Sequence, residues 1–197
     1  MRLYSVMTFL GIVLAYLFVD QPVALWCHDH VKAPWETLFQ SLTVLGVSTG
    51  WLVGSLAIAL GLRLWHRYEM IQTRAWFVFT AVAVSGLATD VIKWIAGRFR
   101  PRMLFENQAY GFDFFHIKHT MTSFPSGHTT TAFALAMVVM LLYPRWRWVA
   151  WSLALGVAIS RIAITAHFVS DTLAGAWIGI ASTLWLYERY FKKSVLR

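Results

Sequence analysis

The sequence predicts an all-α polytopic membrane protein, folded as one domain over residues 1–197 with six transmembrane helices. Three observations predict it. Hydrophobic residues make up 58% of the 197 and charged residues only 13%, whereas a soluble domain is nearer a quarter charged. The apolar residues gather in six runs that approach the roughly 20 residues needed to cross a bilayer. The basic excess, a net charge of +8, sits mostly in short segments between those runs. That pattern reads as membrane topology and not as nucleic-acid binding. A single cysteine, Cys27, excludes an internal disulfide and a cysteine metal cluster.

The elements follow in order. Leu3–Val19 is an uninterrupted apolar run ending at Asp20, and no small-x-small cleavage site follows it. It reads as a retained membrane helix rather than a leader. Gln21–Thr49 is mixed and contains Pro22 and Pro34, with Trp35, Leu38, Phe39, Leu42 and Leu45 at helical spacing. This predicts an amphipathic interfacial helix. Gly50–Trp65 and Ala75–Ala96 are the second and third spans, His128–Tyr143 the fourth, Trp148–Ala166 the fifth and Asp171–Tyr190 the sixth.

Alternating crossings put Arg2, Arg63, Arg67, Arg74, Arg145, Arg147, Arg189, Lys192, Lys193 and Arg197 on one side, which is cytoplasmic by the positive-inside rule. Lys32, Lys93, Arg98, Arg100, Arg102, Lys118 and Arg161 fall on the other. Topology does not call for this second set. Tryptophans and tyrosines near helix ends, such as Trp65, Trp146 and Tyr187, suit an interfacial belt.

Three clusters share that second face. In Ser160–Asp171, His167 and Asp171 are four apart, so on a helix the carboxylate can orient the imidazole and stabilise its charged form. Arg161 lies six before His167 and would point elsewhere on a continuous helix. A break between them would bring both into one cavity. The bland alternative is a buried histidine beside an ion pair. In the stretch from Lys93 to Pro101, Lys93 and Arg100 are seven apart, two cations suited to an oxyanion. The alternative is flanking charge, with Asp90 partly neutralising Lys93. In Pro125-Ser126-Gly127-His128, free N–H groups at a helix start face an anion, and His128 can protonate a leaving oxygen. Here the alternative is a serine N-cap with an incidental histidine.

Together, Lys93-x6-Arg100-Pro101, Pro125-Ser126-Gly127-His128 and Ser160-Arg161-x5-His167-x3-Asp171 resemble the three-part signature of the type-2 phosphatidic acid phosphatase family, whose site is shared by vanadium-dependent haloperoxidases. The signature spans Lys93 to Asp171 with every position filled. The resemblance implies a helical membrane phosphatase in which His167 is the phosphoryl-accepting nucleophile, Asp171 orients it and His128 is the general acid. It implies that Lys93, Arg100, Ser126, Gly127 and Arg161 bind the phosphate, and that no metal or other cofactor is needed. The implied partners are a membrane lipid phosphate and the bilayer, with no nucleic acid. The implied location is a bacterial inner membrane with the site facing the periplasm.

Phosphatidylglycerophosphate, phosphatidic acid, undecaprenyl diphosphate and lipid A 1-phosphate all suit such a site, as does phosphotransfer to another lipid. Against a haloperoxidase stand the hydrophobic spans. Against a transporter stands the gathering of charge at one membrane edge rather than mid-membrane. A non-catalytic scaffold would have no reason to keep nucleophile, acid and three cations together. Between the first two clusters, residues 102–123 interleave aromatic and charged side chains and read either as a lid near the pocket or as an ordinary anchored loop. The pairs His116/His119 and His28/His30 have too few companions for a metal site.

Overall fold

The protein is seen in a computed structural model that describes residues 2–64 and 68–194. Among the described residues it is helical, with one isolated β-bridge between Arg98 and Phe112. Helix α1 (Arg2–Leu14) does not stop at Asp20. It widens through a π-helical segment, Ala15–Val19, and continues as α2 (Asp20–His30). Pro22, which lacks a main-chain N–H, lies just past the π-helical segment, where the α-helical ladder is already interrupted. The segment expected to contain an amphipathic helix has one at Trp35, where the expected apolar residues begin. Its first part extends α1, and the rest forms α3 (Trp35–Thr43), which a 3₁₀ turn joins to α4 (Ser48–Leu64). The expected end of that span at Trp65, like Arg67 and Arg197 of the topology argument, lies outside the described residues.

Helix α5 (Glu69–Ala96) begins a turn and a half before the expected Ala75. A short α6 (Pro101–Asn107) starts on its proline, as proline prefers. Then come α7 (Gly127–Leu142), α8 (Arg147–Ala163) and α9 (Val169–Leu186), the last extended by a π-helical turn to Phe191. Three helical runs, Ser5–His30, Trp35–Leu64 and Glu69–Ala96, are long and apolar enough to cross a membrane, and α7 is a shorter apolar helix. Large side chains such as Phe9, Phe18, Val53 and Leu87 stand exposed on these helices, as lipid-facing side chains do.

The core is built on α9 and α7. Helix α9 packs against α7, α5 and α1, and α7 also packs against α8 and α5. Gly175 and Gly179, spaced as G-x-x-x-G, let the two backbones meet. A Cβ on Gly175 would reach Ser126 O and Thr130 Oγ1, and one on Gly179 would strike Thr130 O and lie 2.9 Å from Ala134 N. Gly179→Val should therefore lower the thermal midpoint in detergent, by overpacking worth about 1–3 kcal/mol. Gly54→Val on α4 has open space at its Cβ and should leave the midpoint nearly unchanged. Equal midpoints for the two variants would show that the α7–α9 contact is loose.

Several buried hydroxyls between the helices are hydrogen-bonded, although Thr183 Oγ1 on α9 is buried without a partner among the described residues. Thr89 Oγ1 donates to Thr130 Oγ1 at 3.0 Å and contacts Ser85 O at 2.9 Å, and Thr130 Oγ1 also meets Ser126 O at 3.0 Å. Apolar clusters fill either end of this layer, one around Phe77, Val138 and Leu186, the other around Ala132, Ala154 and Val157.

Candidate active site

The end of α5, the start of α7 and the α8–α9 turn converge, and the turn supplies the break that the Arg161–His167 spacing demands. Helix α8 ends at Ala163, Thr165 takes a left-handed conformation (φ 51°), and the amides of Ala166 and His167 both return to Arg161 O, at 3.0 and 3.1 Å. The chain folds back within one turn, so Arg161 and His167 come to the same end of the bundle.

Asp171 lies in the first turn of α9 and is completely buried. Its Oδ2 accepts from the Phe168 amide at 2.9 Å, which caps the helix, and from Ser123 Oγ at 2.6 Å. His167 Nδ1 stands 3.5 Å from the same oxygen. That is within electrostatic reach but too long for a well-formed hydrogen bond, and Nδ1 has no other partner. Nε2 is left as the nitrogen that can face a substrate. Burial holds the His167 pKa well below the usual imidazole value, with Asp171 only partly opposing it. The ring is therefore neutral at neutral pH, the form in which an imidazole is nucleophilic.

Three cations gather at this end of the bundle: Lys93 and Arg100 act on the His167 ring, and Arg161 lies within electrostatic reach of Arg100. Lys93 Nζ donates to Thr122 O at 3.1 Å and to Pro125 O. Arg100 reaches His119 O at 2.7 Å, Ala166 O at 3.3 Å and Thr122 O at 3.4 Å. Arg161 donates to Thr43 Oγ1 at 3.1 Å, while its buried Nε has no acceptor. Among the described residues no carboxylate forms an ion pair with any of the three. Partly buried cations held only by carbonyls and a hydroxyl form a site short of one anion. All three act on His119, which Arg100, then burial, then Lys93 and Arg161 keep below the ordinary imidazole pKa. Asp90 is exposed on α5 and makes no ion pair with Lys93.

Ser126 is fully buried at the start of α7, but it does not cap the helix. Its amide is committed to Asp171 O at 3.0 Å, and its Oγ accepts from Thr129 Oγ1 at 3.0 Å. Its hydroxyl proton remains to be given, whereas its main-chain N–H does not. Gly127 leaves the helix mouth open: a Cβ there would first meet Lys93 Cε, at 3.9 Å. His128 is half-buried and pressed against Gly46, where a Cβ would come within 2.8 Å of His128 O. The 3₁₀ turn before α4 thus fixes the placement of His128.

Residues 102–123 are tied down rather than loose. Arg100 N donates to Thr120 O at 2.9 Å, Ser123 N to Arg98 O at 3.0 Å, and Asp113 N to Gly97 O at 3.0 Å. His116 pairs with Asp113 at 2.9 Å. His28 stacks on Phe105, and His30 donates to Trp26 O.

Sequence reasoning missed Arg98 and Asp20. Arg98 has no exposed surface and forms an ion pair through one guanidinium nitrogen with Asp171 Oδ1 (2.5 Å) and through the other with Asp20 Oδ2 (2.6 Å). Five rings, Tyr16, Tyr110, Phe112, Phe124 and Phe168, surround the guanidinium at 4.7–5.9 Å. Burial would lower the Arg98 pKa, but Asp171 and Asp20 override it and raise it. Asp20 Oδ1 also accepts from the Ser170 amide at 2.9 Å. The one available signal was an aspartate in an otherwise apolar helix, which requires a partner.

This arrangement of helices gathers cations suited to an anion, and comparison with known proteins supplies the class. The model of the PAP2 superfamily matches residues 74–194. The lipid A 1-phosphatase of Rhizobium etli is 30% identical over 181 residues, covering 86% of this chain and 76% of that protein. The lipid A 1-phosphatase of Rhizobium johnstonii is 28% identical over 190 residues, covering 88% and 76%. Among solved structures, LpxE of Aquifex aeolicus superposes with a TM-score of 0.62 at 21% identity, covering 86% of this chain and 95% of that one. The chain belongs to the PAP2 superfamily. It is a membrane phosphatase with that family's fold.

Proposed function

We propose that the protein removes phosphate from a membrane lipid through a phosphohistidine on His167, and that its substrate is the 1-phosphate of lipid A. The observation that carries the reaction is the cluster of Lys93, Arg100 and Arg161, unpaired by any carboxylate among the described residues, at the end of the bundle that holds a neutral buried imidazole. Similarity to two lipid A 1-phosphatases over most of the chain supports the substrate. The reading includes six crossings, the last three made by α7, α8 and α9, and a site on the periplasmic face of an inner membrane.

In this mechanism His167 Nε2 attacks phosphorus while the bond to the lipid oxygen breaks, and His128 gives that oxygen a proton. The imidazole gains positive charge as the N–P bond forms, and Asp171 stabilises it. Water then attacks the phosphohistidine, giving its proton to His128 and releasing inorganic phosphate. Lys93, Arg100 and Arg161, with the Ser126 hydroxyl and the Gly127 amide, hold the phosphoryl oxygens throughout.

The test is phosphate release in detergent with a chelator present, from lipid A 1-phosphate, phosphatidic acid, phosphatidylglycerophosphate and undecaprenyl diphosphate compared by kcat/KM. Lipid A should lead by at least about tenfold, a gap of about 1.4 kcal/mol in transition-state binding, and orthovanadate should inhibit. Release from none of the four would end the phosphatase reading. Release led by another lipid would reassign the substrate.

A further inference from the structure

We propose that Asp20 and Arg98 are positioning residues for the reaction, forming with Asp171 a buried carboxylate–guanidinium–carboxylate relay that keeps one net negative charge behind His167. The inference rests on the phosphohistidine reading above, and its support is geometric. Arg98 alone would neutralise Asp171, because one of its nitrogens lies 2.5 Å from Oδ1. A neutralised carboxylate gives little support to an imidazole becoming positive. Asp20 removes that difficulty by taking the other guanidinium nitrogen at 2.6 Å. Two carboxylates then share one guanidinium, with no water-exposed surface on any of the three. The relay carries a charge of minus one at rest and is balanced when His167 becomes the positively charged phospho-adduct.

The same contacts set geometry. Asp20 accepts from both the amide and the hydroxyl of Ser170, the residue beside Asp171. Ser170 Oγ also meets the Arg98 guanidinium at 2.6 Å. Arg98 occupies Oδ1 of Asp171 and leaves Oδ2 to Ser123, Phe168 and His167. A buried ion-pair triad adds little net stability over apolar packing, so charge placement is the better account of it.

The other charged and titratable groups acting on His167 are Lys93 from α5 and Arg100 ahead of α6, and the relay itself meets the Tyr110 hydroxyl, 3.2 Å from Arg98 and 3.3 Å from Asp20. None of them changes in the variants proposed here, so differences between variants report on the relay. The substrate's own ionisation is likewise common to all.

The experiment measures kcat, KM and the acid limb of kcat/KM in detergent micelles, on whichever lipid of the panel above the wild-type protein cleaves with the highest kcat/KM. Asp20→Asn removes the net negative charge, which makes a positive imidazole less favourable. It should lower kcat about tenfold and move the acid limb down by about one pH unit, with KM little changed. A purely structural role would lower the yield of folded protein without moving the limb. The double variant Asp20→Asn/Arg98→Gln restores one net negative charge through Asp171 alone and should return the limb to its wild-type place.

Where Asp20→Asn does not fold, Arg98→Lys decides. It keeps the charge, cannot bridge two carboxylates, and should lower kcat at an unmoved limb. Wild-type kcat in a folded variant, or an Asp20→Asn limb that stays in place, overturns the relay. Wild-type protein that releases no phosphate from any lipid of the panel overturns the functional reading itself, and the relay with it.

Discussion

His167→Ala should reduce phosphate release by at least about 10⁴-fold, the scale seen when a nucleophile is removed from an otherwise intact site. Lys93, Arg100 and Arg161 remain in this variant, so the phosphate still binds and KM should shift much less than kcat. What disappears is the one imidazole among the described residues that combines burial with a carboxylate oxygen, that of Asp171, 3.5 Å from Nδ1. His128 has no such carboxylate among the described residues and cannot take over. The measurement is single-turnover release with ³²P-labelled lipid, together with acid-labile label on the protein. Wild-type should show transient label and the variant none. A variant that releases phosphate at the wild-type rate would remove His167 from the chemistry.

Asp171→Asn should have the second largest effect, and it should appear in two separate measurements. Asp171 accepts from Arg98, Ser123 and the Phe168 amide. An amide in its place turns one acceptor into a donor facing a donor. It also leaves Arg98 with Asp20 as its only carboxylate. Breaking one partner of a buried pair costs about 3–5 kcal/mol, so the thermal midpoint in detergent should fall. The loss of support for a positive His167 should lower kcat about 10²–10⁴-fold, by analogy with carboxylates behind catalytic histidines elsewhere. Substrate KM should change little. A lower midpoint with unchanged kcat per folded molecule would make Asp171 a helix cap and nothing more.

The parts of the site that were legible in the sequence are those whose partners are near in the chain. His167 and Asp171 are one turn apart, Lys93 and Arg100 two, and Ser126 to His128 are consecutive. The six-residue gap from Arg161 to His167 was compatible with one cavity only if the helix broke, and α8 stops at Ala163, three residues before the expected Ala166, with left-handed Thr165 just beyond. The parts that were not legible depend on distant pairing. Asp20 looked like the end of a helix because charge usually marks the membrane boundary. In the fold it is buried, because its guanidinium partner lies 78 residues away. Arg98 was counted as one more basic residue beside Lys93 and Arg100. Nothing local distinguishes a cation left without a carboxylate from one sealed between two of them behind His167. Gly46 was missed for the same reason, since its neighbour His128 lies on another helix.

Where α7 and α9 touch, main chain meets main chain. Ser126 N donates to Asp171 O, and Gly175 lies against Ser126 O. The separation of α7 from α9 is therefore set by main-chain contacts instead of by side chains that shift between rotamers. Tilt of the outer helices in thicker or thinner bilayers should then leave the α7–α9 spacing unchanged.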